Sequence, residues 1–310
     1  MLLLKKRIRN AIYIFVLAAV FMTALSGCQL RDTTKRDNGN AAFKIVTSFY
    51  PIYIATLNVV QNVEGVQVVN MTQPQTGCLH DYQLKPKDLE TLETADVFVV
   101  NGAGMEGFLD KVLAQRKDLF VVDASEGIND VIITNAAQNA HVWLDVDNEI
   151  SQVNYIANGL AAALPENAAR FLENAKVYIE KLKKLKAELV DGLKPFAGRE
   201  IITFHEAFPY FAKEFGLKIA AVIEREPGVA PTPKELEQTI ATVKKMRVGA
   251  LFAEPQYSPK AAEVIARETG AKIYTLDPIV TGDANEDAFD DYLIKMRQNF
   301  ETIKLALGGQ

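Results

Sequence analysis

The stretch ENAARFLENAKVYIEKLKKLKAELVDGL, residues 166–193, decides how this chain is organised. Leu172, Ala175, Ile179, Leu182, Leu185, Leu189 and Leu193 recur at spacings of three and four, and lysine and glutamate fill the other faces. That is the period of an amphipathic α-helix. Pro165 suits its first turn, where a missing N–H is not needed, and Pro195 follows its end. At 1.5 Å per residue the helix would span about 42 Å, longer than one small domain. The expectation is a stiff rod joining two units, since no Gly/Ser-rich linker is present.

Outward from the rod, the same alternation occurs on both sides. FKIVTS, VQVVNMT, DVFVVNG and LFVVDAS read as strands, with helices near 50–62, 85–95 and 107–116. After residue 198, REIITF, KIAAVIE, VGALFAEP and KIYTLDP alternate with helices near 207–216, 233–246, 259–269 and 288–307. Near-continuous apolar strands between helices indicate parallel sheets covered on both faces. The fold class expected is α/β: two (β/α) lobes with parallel-rich sheets, bridged by one long rigid helix. The lobes are placed at 43–165 and 196–310, with the linking helix at 166–195.

The N-terminus reads as an export signal. Lys5, Lys6, Arg7 and Arg9 precede the apolar run AIYIFVLAAVFMTAL at 11–25, and Leu25-Ser26-Gly27-Cys28 resembles a bacterial lipobox. The expectation is a signal peptide at 1–27 and a lipidated Cys28. A polar tether to residue 42 would follow, so the protein would sit outside the cytoplasm on the cell membrane. Without residues 1–27 the formal charge is −9, which disfavours nucleic acid as a partner. Cys78 would then be the only remaining cysteine, so no internal disulfide can form.

Three histidines are present, His80, His141 and His205. No HxxxH or CxxC accompanies them, and no GxSxG or P-loop occurs. Residue chemistry leaves two readings open: three imidazoles assembled into a metal site, or three histidines bonded locally and separately. His205 follows the strand REIITF, and Asp277 ends KIYTLDP. Both therefore sit at strand carboxyl ends, where open parallel sheets bind ligands. Trp143 reads as core.

The local words bear on this choice. His80-Asp81-Tyr82, Pro86 and Asn101-Gly102 stand in one order with His141-Val142-Trp143-Leu144-Asp145 and His205-Glu206-Ala207-Phe208. Glu254-Pro255-Gln256 and Leu276-Asp277-Pro278 follow. Together they resemble the zinc- and manganese-binding lipoproteins that serve as solute-binding components of bacterial metal ABC importers. The resemblance covers about residues 43–305. It implies one metal held between the lobes by His80, His141, His205 and Asp277, with no catalysis. It also implies delivery of the ion to an ABC permease by a protein working as a monomer. Three imidazoles and a carboxylate suit Zn²⁺; Mn²⁺ prefers more oxygen and stands as the alternative. The His-rich loop of many zinc members is absent between Gly102 and Ala140, and Leu79 stands where some carry a glutamate. Because ligand imidazoles must be neutral, acid would favour release. The competing reading is a zinc hydrolase with Glu206 or Glu254 as base.

Overall fold

The computed structural model describes residues 42–73, 79, 82–134, 137–223, 231–256 and 259–309. The export signal, Cys28, Cys78 and His80 lie outside the described residues. Among the described residues no helix is long and apolar enough to cross a membrane.

Two four-stranded parallel sheets form the frame. The first contains β1 (Phe43–Thr47), β2 (Val66–Asn70), β3 (Val97–Val100) and β4 (Phe120–Asp123), in the order β2-β1-β3-β4. A short antiparallel pair follows, β5 (Ile133–Thr134) and β6 (Ala137–Gln138). The second sheet contains β7 (Glu200–Thr203), β8 (Lys218–Val222), β9 (Ala250–Ala253) and β10 (Lys272–Thr275), in the order β10-β9-β7-β8. Counted from its own first strand, each sheet therefore has the order 2-1-3-4. Each consequently has a switch point between its first and third strands, where loops leave in opposite directions and open a crevice.

The helices of the first half are α1 (Tyr50–Val59), α2 (Pro86–Glu93) and α3 (Asp110–Gln115). All ten residues of α1 are buried, as its nearly unbroken apolar sequence YPIYIATLNV requires. α4 (Val146–Ala163) is not part of the sequence expectation. Its buried stripe carries Glu149 and Gln152 among Val146, Val153, Ile156 and Leu160, so polar residues interrupt the apolar period. Its N-terminus is set by Asp145, whose carboxylate accepts from the Asp147 and Asn148 amides.

The rod is α5 (Ala168–Leu193), 26 residues long and about 39 Å by its rise. Its buried face is Phe171, Ala175, Tyr178, Ile179, Leu182, Leu185, Leu189 and Leu193. Leu172, expected on that face, is 45% exposed and Phe171 takes its place. Both residues fit a three-or-four period from Ala175, and the larger ring fills the core. α5 packs along α1 and α4 from the first half and along α9 (Asp291–Gly308) from the second, so it bridges both. Gly192 allows the close approach to α9, because a Cβ there would lie 2.4 Å from the Phe300 ring. The second half is completed by α6 (Pro209–Glu214), α7 (Pro233–Met246) and α8 (Lys260–Thr269). One hydrophobic cluster runs from Ile45 and Val99 of the first sheet through the rod to Phe252, Leu276 and Met296.

Candidate metal-binding site

His141 and His205 are 64 positions apart in sequence and come from opposite halves, yet their rings meet edge to face with centroids 4.8 Å apart. Both residues are 2% exposed. His205 sits two residues beyond β7, carried there by Phe204, whose amide continues the ladder to the Phe252 carbonyl. His141 opens a single 3₁₀ turn, Val142–Leu144, directly before α4. HVWLD is therefore a tight turn, and all three turn residues are buried.

The His141 ring is oriented by a chain of hydrogen bonds. The Asn139 Nδ2 group donates to the Glu206 carbonyl at 2.8 Å, which fixes the amide so that Oδ1 faces His141. That oxygen accepts from the His141 amide at 3.1 Å and lies 3.0 Å from Nδ1. An amide oxygen can only accept, so Nδ1 carries the proton and the lone pair resides on Nε2, the form in which an imidazole binds a metal. Asn101, at the end of β3, donates to the Ala140 carbonyl at 2.9 Å and accepts from Gln152 Nε2 at 3.0 Å. Its neighbour Gly102 has φ +76°, and a Cβ there would lie 1.8 Å from Asp123 Oδ1. The Asn-Gly word thus anchors the His141 segment from below.

His205 has a carboxylate beside it. Glu254 leaves the end of β9, the neighbour of β7 at the switch point, and its Oε1 lies 3.4 Å from His205 Nδ1. The Glu254 side chain is fully buried, and its other oxygen accepts from Gln256 at 2.6 Å. This geometry suits a group that orients the ring. Glu206 contributes its backbone carbonyl to Asn139.

Asp277 lies just past β10 with both oxygens engaged. Oδ1 accepts from the Ile279 amide at 2.7 Å, and Oδ2 pairs with Lys295 Nζ at 2.6 Å. Asn299 grips the Asp277 backbone from both sides, accepting from its N–H and donating to its C=O, each at 2.7 Å. Ile279 takes φ +65°, a costly conformation for a β-branched residue, held by this turn. The Asp277 and His141 turns are linked directly: Trp143 Nε1 donates to the Pro278 carbonyl at 2.8 Å, and Tyr292 donates to the Trp143 carbonyl at 2.7 Å. Tyr210 adds a further tie, accepting from the Ile132 amide at 2.8 Å and donating to the Asn139 carbonyl at 2.9 Å.

Of the four expected ligands, two histidines come together and His80 lies outside the described residues. Asp277 sits in the turn stitched to His141, with its charge paired to Lys295. Among the described residues no three His, Cys, Asp or Glu side chains converge closely enough to hold an ion. Sequence reasoning missed Asn139 and Lys295. The QNAH word places Asn139 two residues before a histidine, which is a usable signal; Lys295 offers none.

A family model described as zinc-uptake complex component A, periplasmic, matches residues 45–306. The chain belongs to that family. The zinc-binding protein AdcA of Streptococcus pyogenes is 30% identical over 294 residues, covering 84% of this chain and 55% of that protein. The chain thus spans little more than half the length of that relative. The high-affinity zinc uptake system protein ZnuA of Bacillus subtilis is 28% identical over 311 residues, covering 95% of this chain and 97% of that one. Among solved structures, the solute-binding protein FpvC of Pseudomonas aeruginosa in complex with Mn²⁺ superposes with a TM-score of 0.76 at 28% identity. It covers 86% of this chain and 99% of that one. The family's two-sheet architecture with a long helix is the one described above.

Proposed function

We propose that this protein binds a divalent metal ion, zinc in preference to manganese, and hands it to an ABC permease as a solute-binding component without catalysis of its own. The observation that carries this reading is the meeting of two buried imidazoles from opposite halves of the chain, one of them fixed as the Nδ1–H form by Asn139. Relatives matched over 84% and 95% of the chain are named for zinc, which supports the choice of ion. The third ligand position is His205, and an imidazole there suits zinc better than a carboxylate would. Manganese is the second reading, favoured by the Mn²⁺ complex of FpvC.

The proposed ligands are His80 and His141 from lobe 43–165, and His205 and Asp277 from lobe 196–310. The helix at 166–195 links the lobes. We place the protein outside the cytoplasmic membrane, held as a monomer by a lipid on Cys28 after loss of residues 1–27. The hydrogen bonds of Trp143, Tyr210, Tyr292 and Asn139 cross between the halves beside the histidines, which supports small lobe movements on loading. The test is titration of Zn²⁺ and Mn²⁺ into the full chain in mild detergent, with His205→Ala in parallel. One-to-one zinc binding, weaker manganese binding and a loss of at least tenfold in the variant are expected. Tighter manganese binding would overturn the choice of ion, and unchanged affinity in the variant would overturn the site.

A further inference from the structure

Asp277 presents a problem for any ion that would use it: its charge is already neutralised. Lys295 lies in the second turn of α9, and its ammonium is 2.6 Å from Oδ2 with the two side chains only 18% and 15% exposed. The other oxygen is committed to a backbone amide in the same turn, and Asn299 holds the backbone rigid. Of these partners only Lys295 is attached through a long flexible stem that can swing towards solvent, so Oδ2 is the one oxygen that can change hands. A buried carboxylate stripped of its partner is costly. The fold is therefore more stable with a cation against Asp277, either the ammonium or an incoming ion.

We propose that Lys295 is an exchangeable counter-cation: a metal ion arriving at the histidine pair completes its coordination by displacing the Lys295 ammonium from Asp277, and return of the lysine drives the ion out. The proposal rests on the reading of Asp277 as a ligand. Its consequence is that affinity is deliberately lowered by a competing group within the chain, while the metal-free protein is kept folded. The lysine keeps its proton and charge throughout, so the exchange swaps one ionic contact for another.

The experiment is zinc titration against a competing chelator, with melting curves of metal-free and zinc-loaded protein. It uses the full chain in mild detergent and the variants Lys295→Met, Lys295→Arg, Asp277→Asn and the Lys295→Met/Asp277→Asn double variant. Losing a charge-assisted contact that zinc must otherwise break should tighten zinc binding on the order of 10- to 100-fold in Lys295→Met. Its metal-free form should melt lower while its zinc-loaded form melts like the wild type. Lys295→Arg, which grips the carboxylate with two N–H groups, should weaken zinc binding, and this arm stands even if Lys295→Met fails to fold. In the Asp277→Asn background the lysine substitution should leave affinity unchanged. A purely structural lysine would lower both melting points alike without moving zinc affinity, and that result would overturn the proposal. If Asp277→Asn binds zinc as the wild type does, the reading of Asp277 fails and the proposal with it. Loss of zinc binding on His205→Ala would still uphold the histidine site.

Discussion

Replacing Asn139 with alanine tests how the site is built. The side chain makes three hydrogen bonds: two into Oδ1, from the His141 amide at 3.1 Å and from Nδ1 at 3.0 Å, and one from Nδ2 to the Glu206 carbonyl at 2.8 Å. At about 1 kcal/mol net for each, folding loses about 3 kcal/mol. Zinc affinity falls for a separate reason. Without an acceptor at Nδ1 the proton is free to move to Nε2, the ring loses its orientation, and loss of such a partner typically weakens metal binding about 10- to 100-fold. Asn139→Asp separates the two effects. One oxygen still accepts from Nδ1–H, while the other now faces the Glu206 carbonyl, acceptor against acceptor. This variant should keep zinc affinity within a few fold of wild type and yet melt lower. The assay is chelator competition at pH 7 beside thermal melts of the metal-free protein. Wild-type zinc affinity in Asn139→Ala would refute the reasoning, as would an equal loss of affinity in both variants.

Two further predictions concern the frame around the site. Glu149 is 1% exposed on α4, and burial pushes its carboxyl up to about 8, so the fold holds a proton that the unfolded chain releases near pH 4.5. Its contribution is therefore complete below about pH 4.5 and is lost as pH rises towards 8. Relative to wild type, Glu149→Gln should gain stability between pH 5 and pH 8, by at most about 1.4 kcal/mol per pH unit in urea unfolding; a pH-independent difference would contradict this. Trp143→Phe keeps the edge-to-face packing on Phe49 but deletes the bond to the Pro278 carbonyl. It should cost about 1–3 kcal/mol and weaken zinc binding by loosening the Asp277 turn, and an unchanged melting curve would count against that tie.

Much of the architecture was legible because burial imposes a period on the residues that meet it. The eight main strands were written as apolar runs, and the rod as a three-and-four repeat ending at prolines. Leu172 shows the limit of that reading. Either Phe171 or Leu172 continues the repeat from Ala175, and only packing selects the larger ring. α4 shows a second limit, since Glu149 and Gln152 occupy its buried stripe and break the pattern by which helices are found. Parallel sheets open at their carboxyl edges, and that rule put His205 and Asp277, at the ends of β7 and β10, forward as candidates.

What the sequence by itself determined was the set of groups available and the element on which each one rides. It could not decide that His141 and His205 meet. That distance depends on two sheets being fixed by one rigid helix and by hydrogen bonds between the halves, contacts that are non-local in the chain. The same holds for Asn139, whose amide is oriented by a carbonyl 67 positions away, and for Lys295, which reaches Asp277 from a later helix. Hydrophobic periodicity records which face of an element is buried, but it carries no information about which polar group lies opposite. Tautomer, charge pairing and ring orientation are therefore properties of the tertiary fold alone.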